Sequence, residues 1–285
     1  MKSKKVLIVG LGLMGGSYAA ALSSAGYEVG GLSDRQDALD YARRRNWIRH
    51  GMTSPDPKYI EGFDIVVSAL YPRVFIDWVR DNGRHLRRGS ILTDISGVKG
   101  CVVPRIQGML AGRVEFVPAH PMAGREFSGI EYSDPGIFKG ANFIITPTER
   151  NTPEGIAVVE DMAREMGFGK ISSLSLERHD EMVGFLSQLT HCIAVALMTC
   201  KESRHLVDYT GDSFRDLTRI ARINEDMWTE LFLENKDELL SQMDLFMDRF
   251  GALRDAVRDS DEQTMKEMMR LSTLRRSWFD KKKEK

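Results

Sequence analysis

The first half of the chain alternates short β-forming runs with amphipathic stretches. The runs fall at 6–9, 28–32, 65–69, 90–93, 115–117 and 143–146, and helical periodicity fills 14–25, 35–45, 73–84 and 99–110 between them. Strands that alternate with helices of this length predict a parallel sheet covered on both faces, an α/β doubly wound fold with right-handed crossovers. Pro147 and the polar stretch 148–153 lead into one more helix at 153–166 and a short strand at 170–174, where the sheet domain is expected to close. No strand pattern follows. Helices are predicted at 178–203, 212–221, 224–251 and 254–281, which divides the chain into an α/β domain, 1–174, and an all-helical domain, 175–285.

The late helices carry more apolar surface than one small domain can cover. Leu239, Met243, Phe246, Met247 and Phe250 recur at helical spacing, and this predicts a homodimer built through the C-terminal helices. The run 281–285 reads as a solvated tail.

Composition adds mostly exclusions. With 42% hydrophobic and 28% charged residues the chain is an ordinary soluble globular protein. A net charge of −1, from 40 basic against 41 acidic residues, provides no field for nucleic acid or an anionic membrane, so neither is expected as a partner. Cys101, Cys192 and Cys200 show no metal-ligand spacing, and no metal is expected. Their odd number, with no secretory leader read at the start, points to a reducing cytoplasm. The stretch 182–200 is the most apolar late segment, but Gln188, Thr190 and His191 in its middle argue for a buried helix over a lipid-facing one.

The first motif with chemistry follows the first strand. Gly10-Leu11-Gly12-Leu13-Met14-Gly15 places a G-x-G-x-x-G between strand and helix, the context in which glycines permit a tight turn, close approach of a pyrophosphate and close helix packing. This predicts a Rossmann domain binding NAD or NADP, with Leu70, just past the third apolar run, among the cofactor contacts. At the end of the second strand, Asp34 points to NAD because an acid there holds ribose hydroxyls, whereas Ser33 with Arg35 points to NADP. NAD is placed first, with NADP close behind. Arg35 reads equally as an exposed helix-start residue.

Ligands of open α/β sheets bind at the carboxyl ends of strands, which draws attention to the segments after 93 and after 117. His120 stands between Pro118 and Pro121, which stiffen the backbone and suit a general base; a packing or capping loop histidine is the alternative. Ser96 could bond His120 or the substrate, or cap the helix ahead of Lys99; Asp94 and Lys99 read as structural. Gly184, Gln188 and His191 are spaced four and three and form one stripe on their helix, predicted to face a wet cavity, although a core histidine bonded to a carbonyl is also consistent with His191. In the segment 211–219, which Gly211 opens, Arg219 is either a carboxylate clamp or a surface partner of Asp216.

These motifs together resemble the prephenate dehydrogenase family of tyrosine biosynthesis. The resemblance rests on GLGLMGGS at 10–17, DISGVK at 94–99, HPMAGRE at 120–126, DLTRIA at 216–221, and Met-Trp at 227–228 before LFLENK at 231–236, and it spans nearly the whole chain. It implies that His120 is the catalytic histidine, that Arg219 binds the ring carboxylate of the substrate, that His191 and Glu126 line the pocket, and that the helical domain dimerises. Gln188 and Gly211 count with the substrate residues on the same ground. Three positions depart from the family pattern: Gly97 stands where an active-site serine is common, with Ser96 one residue earlier; Gln188 replaces a frequent histidine; and Arg125 replaces a frequent threonine and could add a carboxylate contact. The implied reaction is oxidative decarboxylation of prephenate, with arogenate as the nearest alternative substrate.

Two rivals differ in class. A β-hydroxyacid dehydrogenase would need a catalytic lysine on a helix after the Rossmann domain, and none is convincing. A non-enzymatic NAD(P)-sensing module would need none of His120, His191 or Arg219.

Overall fold

The computed structural model describes residues 4–280 apart from 111, 126 and 203, so Glu126 and the tail 281–285 lie outside the described residues. Six parallel strands build the main sheet: β1 (Lys5–Val9), β2 (Glu28–Leu32), β3 (His50–Met52), β4 (Ile65–Ser68), β5 (Ile91–Asp94) and β6 (Glu115–Val117), in the order β3-β2-β1-β4-β5-β6. The order reverses between β1 and β4, the switch point at which such sheets bind ligands. Successive side chains of one strand enter two different cores. Val6 and Ile8 join Ile65, Val67 and Val117 on one face, while Leu7 and Val9 join Val66, Leu92 and Phe116 on the other. Both faces are therefore dry, as a parallel sheet requires, and each fully buried aliphatic side chain contributes about 1.5–3 kcal/mol.

The helices α1 (Leu13–Ser24), α2 (Gln36–Arg44), α3 (Pro57–Glu61), α4 (Pro72–Asn82) and α5 (Val103–Leu110) connect these strands. The apolar pattern does not predict β3 and α3. The three-residue strand His-Gly-Met has no periodicity to read, and α3 is a single turn started by Pro57 and by Asp56, whose carboxylate accepts from the Tyr59 amide.

The larger correction concerns the segments after β6. The runs at 143–146 and 170–174, expected as further strands of the main sheet, instead form a second sheet with the segment around His120: β7 (Ala119–Met122), β8 (Asn142–Ile145) and β9 (Lys170–Ser173), with α6 (Pro153–Glu165) between the last two. β7 runs antiparallel to β8, pairing His120 with Ile144 and Pro121 with Phe143. His120 thus sits on a strand and not in a loop. Pro121 is tolerated because β7 is an edge strand, where a missing N–H costs no ladder bond.

The predicted helix at 178–203 starts at α7 (Leu176–Val183), with Ser175 accepting from the Arg178 amide, and continues through a π-helical turn, Gly184–Gln188, into α8 (Leu189–Thr199). The wider turn shifts the helical phase, so the spacing of Gly184, Gln188 and His191 does not define one simple stripe. In α8 only Leu189 and Ala194 are buried, so the expectation of a buried helix holds for one edge of it alone. The run Leu176–Thr199 is long and apolar enough to cross a membrane by length and composition, with mean hydropathy 1.5, a test that core helices of soluble proteins also pass.

Then come α9 (Asp212–Thr218), a tight turn Arg219–Ala221 packed on α8, and α10 (Glu225–Glu234). On α4, the Arg73 amide donates to Glu230 at 2.7 Å and its guanidinium to Glu234 at 2.8 Å, so α10 is tied to the sheet half of the chain. All of this packs as one compact unit, Met1–Lys236. The second unit, Asp237–Lys285, contains α11 (Lys236–Arg258) from its second residue on, and α12 (Glu262–Ser277). The helix expected to end near Gly251 runs on to Arg258, and the break falls instead at 259–261, where Ser260 adopts φ +55° and Asp261 caps α12 by accepting from Thr264. The other break lies at Asn235, whose side chain is taken up by buried polar partners.

Candidate active site

The glycine turn has the shape of a phosphate cradle. Gly10 has φ +92°, and a Cβ on it would meet Ala69 O at 2.9 Å and Leu70 Cδ2 at 3.0 Å, so backbone and Leu70 press on the turn from β4. A Cβ on Gly15 would lie 1.8 Å from Gly10 O. Around Gly12 there is open space, with nothing within 4 Å of where its Cβ would be. Packing therefore demands glycine at 10 and 15 but not at Gly12, which lines the open side of the turn. No side chain caps the N-terminus of α1, which leaves backbone amides and the positive end of the helix dipole for an anion. Leu11 and Leu13 are buried beneath the turn, with Met14 half-buried beside them. The residues present fit a dinucleotide pyrophosphate.

At the ribose end, Ser33 is buried and its hydroxyl accepts from the Arg35 amide at 3.3 Å. The Arg35 guanidinium is engaged by Asp37, with Nε 3.1 Å from Oδ1. Asp34 is exposed.

At the carboxyl ends of β5 and β6 lies a dense polar cluster. Lys99 is fully buried, its ammonium 2.7 and 2.9 Å from the two Asp94 oxygens and 2.6 Å from Ala119 O. Asp94 also accepts from the amides of Ser96 and Ala119 and from the Ser96 hydroxyl. This corrects the expectation for Ser96: its hydroxyl is committed to Asp94 and does not bond His120. Burial pushes the Lys99 pKa down, and the Asp94 charge opposes that.

His120 makes a contact that spacing did not predict. Its Nδ1 lies 2.9 Å from Nε2 of His179 on α7, and His179 Nδ1 lies 2.7 Å from Asp180 Oδ1. Asp180 accepts from the amides of Lys99 at 2.9 Å and Gly100 at 2.7 Å. Burial lowers the His120 pKa well below the ordinary imidazole value, and the neighbouring His179 and Lys99 push the same way. In His179 burial also lowers it, against the opposing bond to Asp180. A His-Asp pair at the start of a helix is a visible signal, but the 59 residues separating His179 from His120 hide the contact.

The other ring nitrogen of His120 faces a small-residue gap. A Cβ on Gly97 would stand 3.8 Å from His120 Nε2 and 3.7 Å from Leu231 Cδ2 of α10. One turn back on α10, Trp228 stacks on His191 with centroids 3.7 Å apart, and His191 Nδ1 donates to Ser187 O at 2.8 Å. Arg219 occupies the exposed turn packed on the helix that carries His191, and Gly211 is the exposed N-cap of α9.

Two expected substrate residues are otherwise engaged. Gln188 is buried, donating to Leu231 O at 2.9 Å and accepting from Asn235 at 2.8 Å, so its carboxamide holds α10 in place and is not open to a ligand. Arg125 pairs with Asp134 at 2.6 Å, and the Asp134 amide donates to Ser17 on α1. A prephenate dehydrogenase nucleotide-binding domain model matches residues 18–171, and a prephenate dehydrogenase dimerization domain model matches 175–271.

The chain belongs to the prephenate dehydrogenase family.

Similar proteins agree over nearly the full length. A cyclohexadienyl dehydrogenase of Zymomonas mobilis is 30% identical over 266 residues, 90% of each chain. A Lactococcus lactis prephenate dehydrogenase is 28% identical over 271 residues, 90% of this chain and 73% of that one. The crystal structure of A. aeolicus prephenate dehydrogenase with hydroxyphenyl propionate and NAD+ superposes with a TM-score of 0.89 at 30% identity, covering 98% and 99% of the two chains. Membership makes this member an NAD(P)-dependent oxidoreductase of a small-molecule substrate, and its helical part is the family's dimerization domain, so it forms a homodimer.

Proposed function

We propose that the chain catalyses the NAD-dependent oxidative decarboxylation of prephenate to 4-hydroxyphenylpyruvate in tyrosine biosynthesis, in the cytoplasm. The observation that carries this reading is His120: held at Nδ1 by His179 and with Nε2 facing the gap at Gly97, it is a neutral base beside the carboxyl ends of β5 and β6, on the same edge of the parallel sheet as the glycine cradle. Residues 1–174 hold the cofactor, and 175–285 supply substrate and dimer contacts. Asp34, with Arg35 already drawn to Asp37, favours NAD over NADP. The exposed apolar side chains of the late helices are covered by the second copy and not by lipid, and neither membrane nor nucleic acid is a partner.

NAD, held by the glycine turn Gly10–Gly15 and the uncapped start of α1, would supply the acceptor for the hydride that leaves C4 of the cyclohexadienol ring. His120 Nε2 takes the proton of the 4-hydroxyl, and the O–H electron pair stays on oxygen to form the carbonyl. Loss of the ring carboxylate as carbon dioxide leaves its bonding electrons in the ring, which becomes an aromatic phenolate. His120 then returns the proton to that same oxygen, so no net proton is released. Arg219 orients the ring carboxylate, and His191 with Trp228 forms an aromatic wall, with Gly211 at the start of the helix that leads to Arg219. Aromatisation supplies the driving force, and the protein positions, moves one proton and excludes water.

The test crosses prephenate and arogenate with NAD and NADP, following absorbance of the reduced nicotinamide. Turnover of prephenate with NAD, reduced by about 10²–10⁴-fold in His120→Asn, is expected. Dinucleotide binding with no turnover of any pair would overturn the reading, and preference for arogenate would move the substrate to its amino analogue.

A further inference from the structure

The donors around Asp180 determine how protons are arranged along the chain of side chains behind His120. The amides of Lys99 and Gly100 can only donate, and they point at the two carboxylate oxygens from 2.9 and 2.7 Å. Asp180 is therefore an acceptor on both oxygens, and the His179 Nδ1 that lies 2.7 Å from it must carry a proton. A neutral His179 then has a lone pair at Nε2, which obliges His120 to donate from Nδ1 across the 2.9 Å contact. The remaining lone pair of His120 is at Nε2, on the side that faces Gly97. The alternative arrangement needs a cationic His179, fully buried and near the Lys99 ammonium, and would leave His120 with a proton at Nε2 and no basic atom toward the substrate.

We propose that His179 and Asp180 are positioning residues for the reaction: through two hydrogen bonds they fix His120 as the Nδ1–H tautomer and orient its Nε2 lone pair toward the substrate hydroxyl. This rests on the assignment of His120 as the base. When Nε2 takes the substrate proton, the resulting imidazolium is stabilised through His179 by the Asp180 carboxylate. Other groups facing the pair are Lys99 and Asp94 from the β5 end, while Ile144 on β8 and Leu231 on α10 are apolar, so Asp180 is the acid in hydrogen-bonded line with the base. Neither residue touches the substrate.

The experiment uses the full-length protein labelled with ¹⁵N-histidine. Long-range ¹H–¹⁵N correlation, with His120→Asn and His179→Gln assigning the signals, should show protonated Nδ1 and bare Nε2 on both rings at neutral pH. Protonated Nε2 on His120 would overturn the proposal whether or not the enzyme turns over prephenate, which separates its failure from failure of the assigned reaction. Kinetics give a second reading. His179→Leu should release the tautomer and lower kcat about 100-fold with KM changed less than about threefold. His179→Gln, which keeps an acceptor, should recover kcat to within about tenfold of wild type. Equal losses in both variants, or a loss confined to KM, would assign His179 a packing role only; where His179→Leu does not fold, the tautomer spectrum and the glutamine variant still decide.

Discussion

Gly12→Ala separates a phosphate cradle from a glycine turn that only turns. Gly12 has φ −85° and ψ −160°, values that alanine adopts without strain, and its Cβ would have no atom within 4 Å. The folded chain should therefore not resist the substitution, and loss of glycine freedom in the unfolded state adds up to about 0.4–1 kcal/mol of stability. The new methyl group occupies the space where a pyrophosphate approaches the uncapped start of α1. Holding the phosphate away by that distance loses at least one charge-assisted hydrogen bond, about 1.5–3 kcal/mol, or about 10- to 100-fold in Kd. Gly15→Ala is the control with opposite character, because its Cβ would sit 1.8 Å from Gly10 O and the turn must open for the chain to fold. Calorimetric titration of NAD+ and thermal unfolding of the two variants check this. An unchanged Kd in Gly12→Ala would refute the cradle, and a large fall in its Tm would refute the claim that the space is empty in the protein itself.

Three other outcomes follow from the cluster behind the site. Lys99→Met leaves Asp94, 1% exposed, without its counter-charge, and should cost about 3–5 kcal/mol in urea unfolding; a loss below about 1 kcal/mol would show that water reaches the pair. Asn235→Ala removes the donor to Gln188 Oε1 and should cost about 1–3 kcal/mol, with α10 loosening as judged by faster amide exchange around Trp228 and Leu231. The histidine pair should also make stability pH-dependent. Both folded pKa values are depressed, so the unfolded chain binds more protons below about pH 6.5, and the stabilisation present above that pH is lost as pH falls, by up to about 1.4 kcal/mol per unit for each ring. His120→Asn should flatten its share of that slope between pH 6.5 and 5, and an unchanged slope would show that His120 titrates normally.

What could be read from the chain depended on whether a signal was local. The parallel sheet was legible because Val6–Val9 and its counterparts are apolar on both faces and bounded by turns, and the cradle because three glycines fall within six residues. The second sheet was not, because β7 contains two residues, His120 and Pro121, that no strand propensity favours, and it exists only by pairing with β8 twenty or more residues away.

The side chains of the site show the same division at closer range. His120 could be singled out from its neighbours in sequence, but the roles of Ser96 and Gln188 turned on partners that only folding supplies: a buried Asp94 in one case, Asn235 and the Leu231 carbonyl in the other. Both residues are polar, buried and close to the base, and in each the hydrogen-bonding capacity is used within the protein. His179 is the converse. It belongs to no motif read from the sequence, yet among the described residues it is the polar side chain that bonds the His120 ring directly. A buried polar group must be satisfied somewhere, so its proximity to a base says less about its role than the identity of the atom that satisfies it. By that criterion Asp94 and Lys99 hold the loop, Gln188 and Asn235 hold α10, and the His179–Asp180 pair sets the proton on His120.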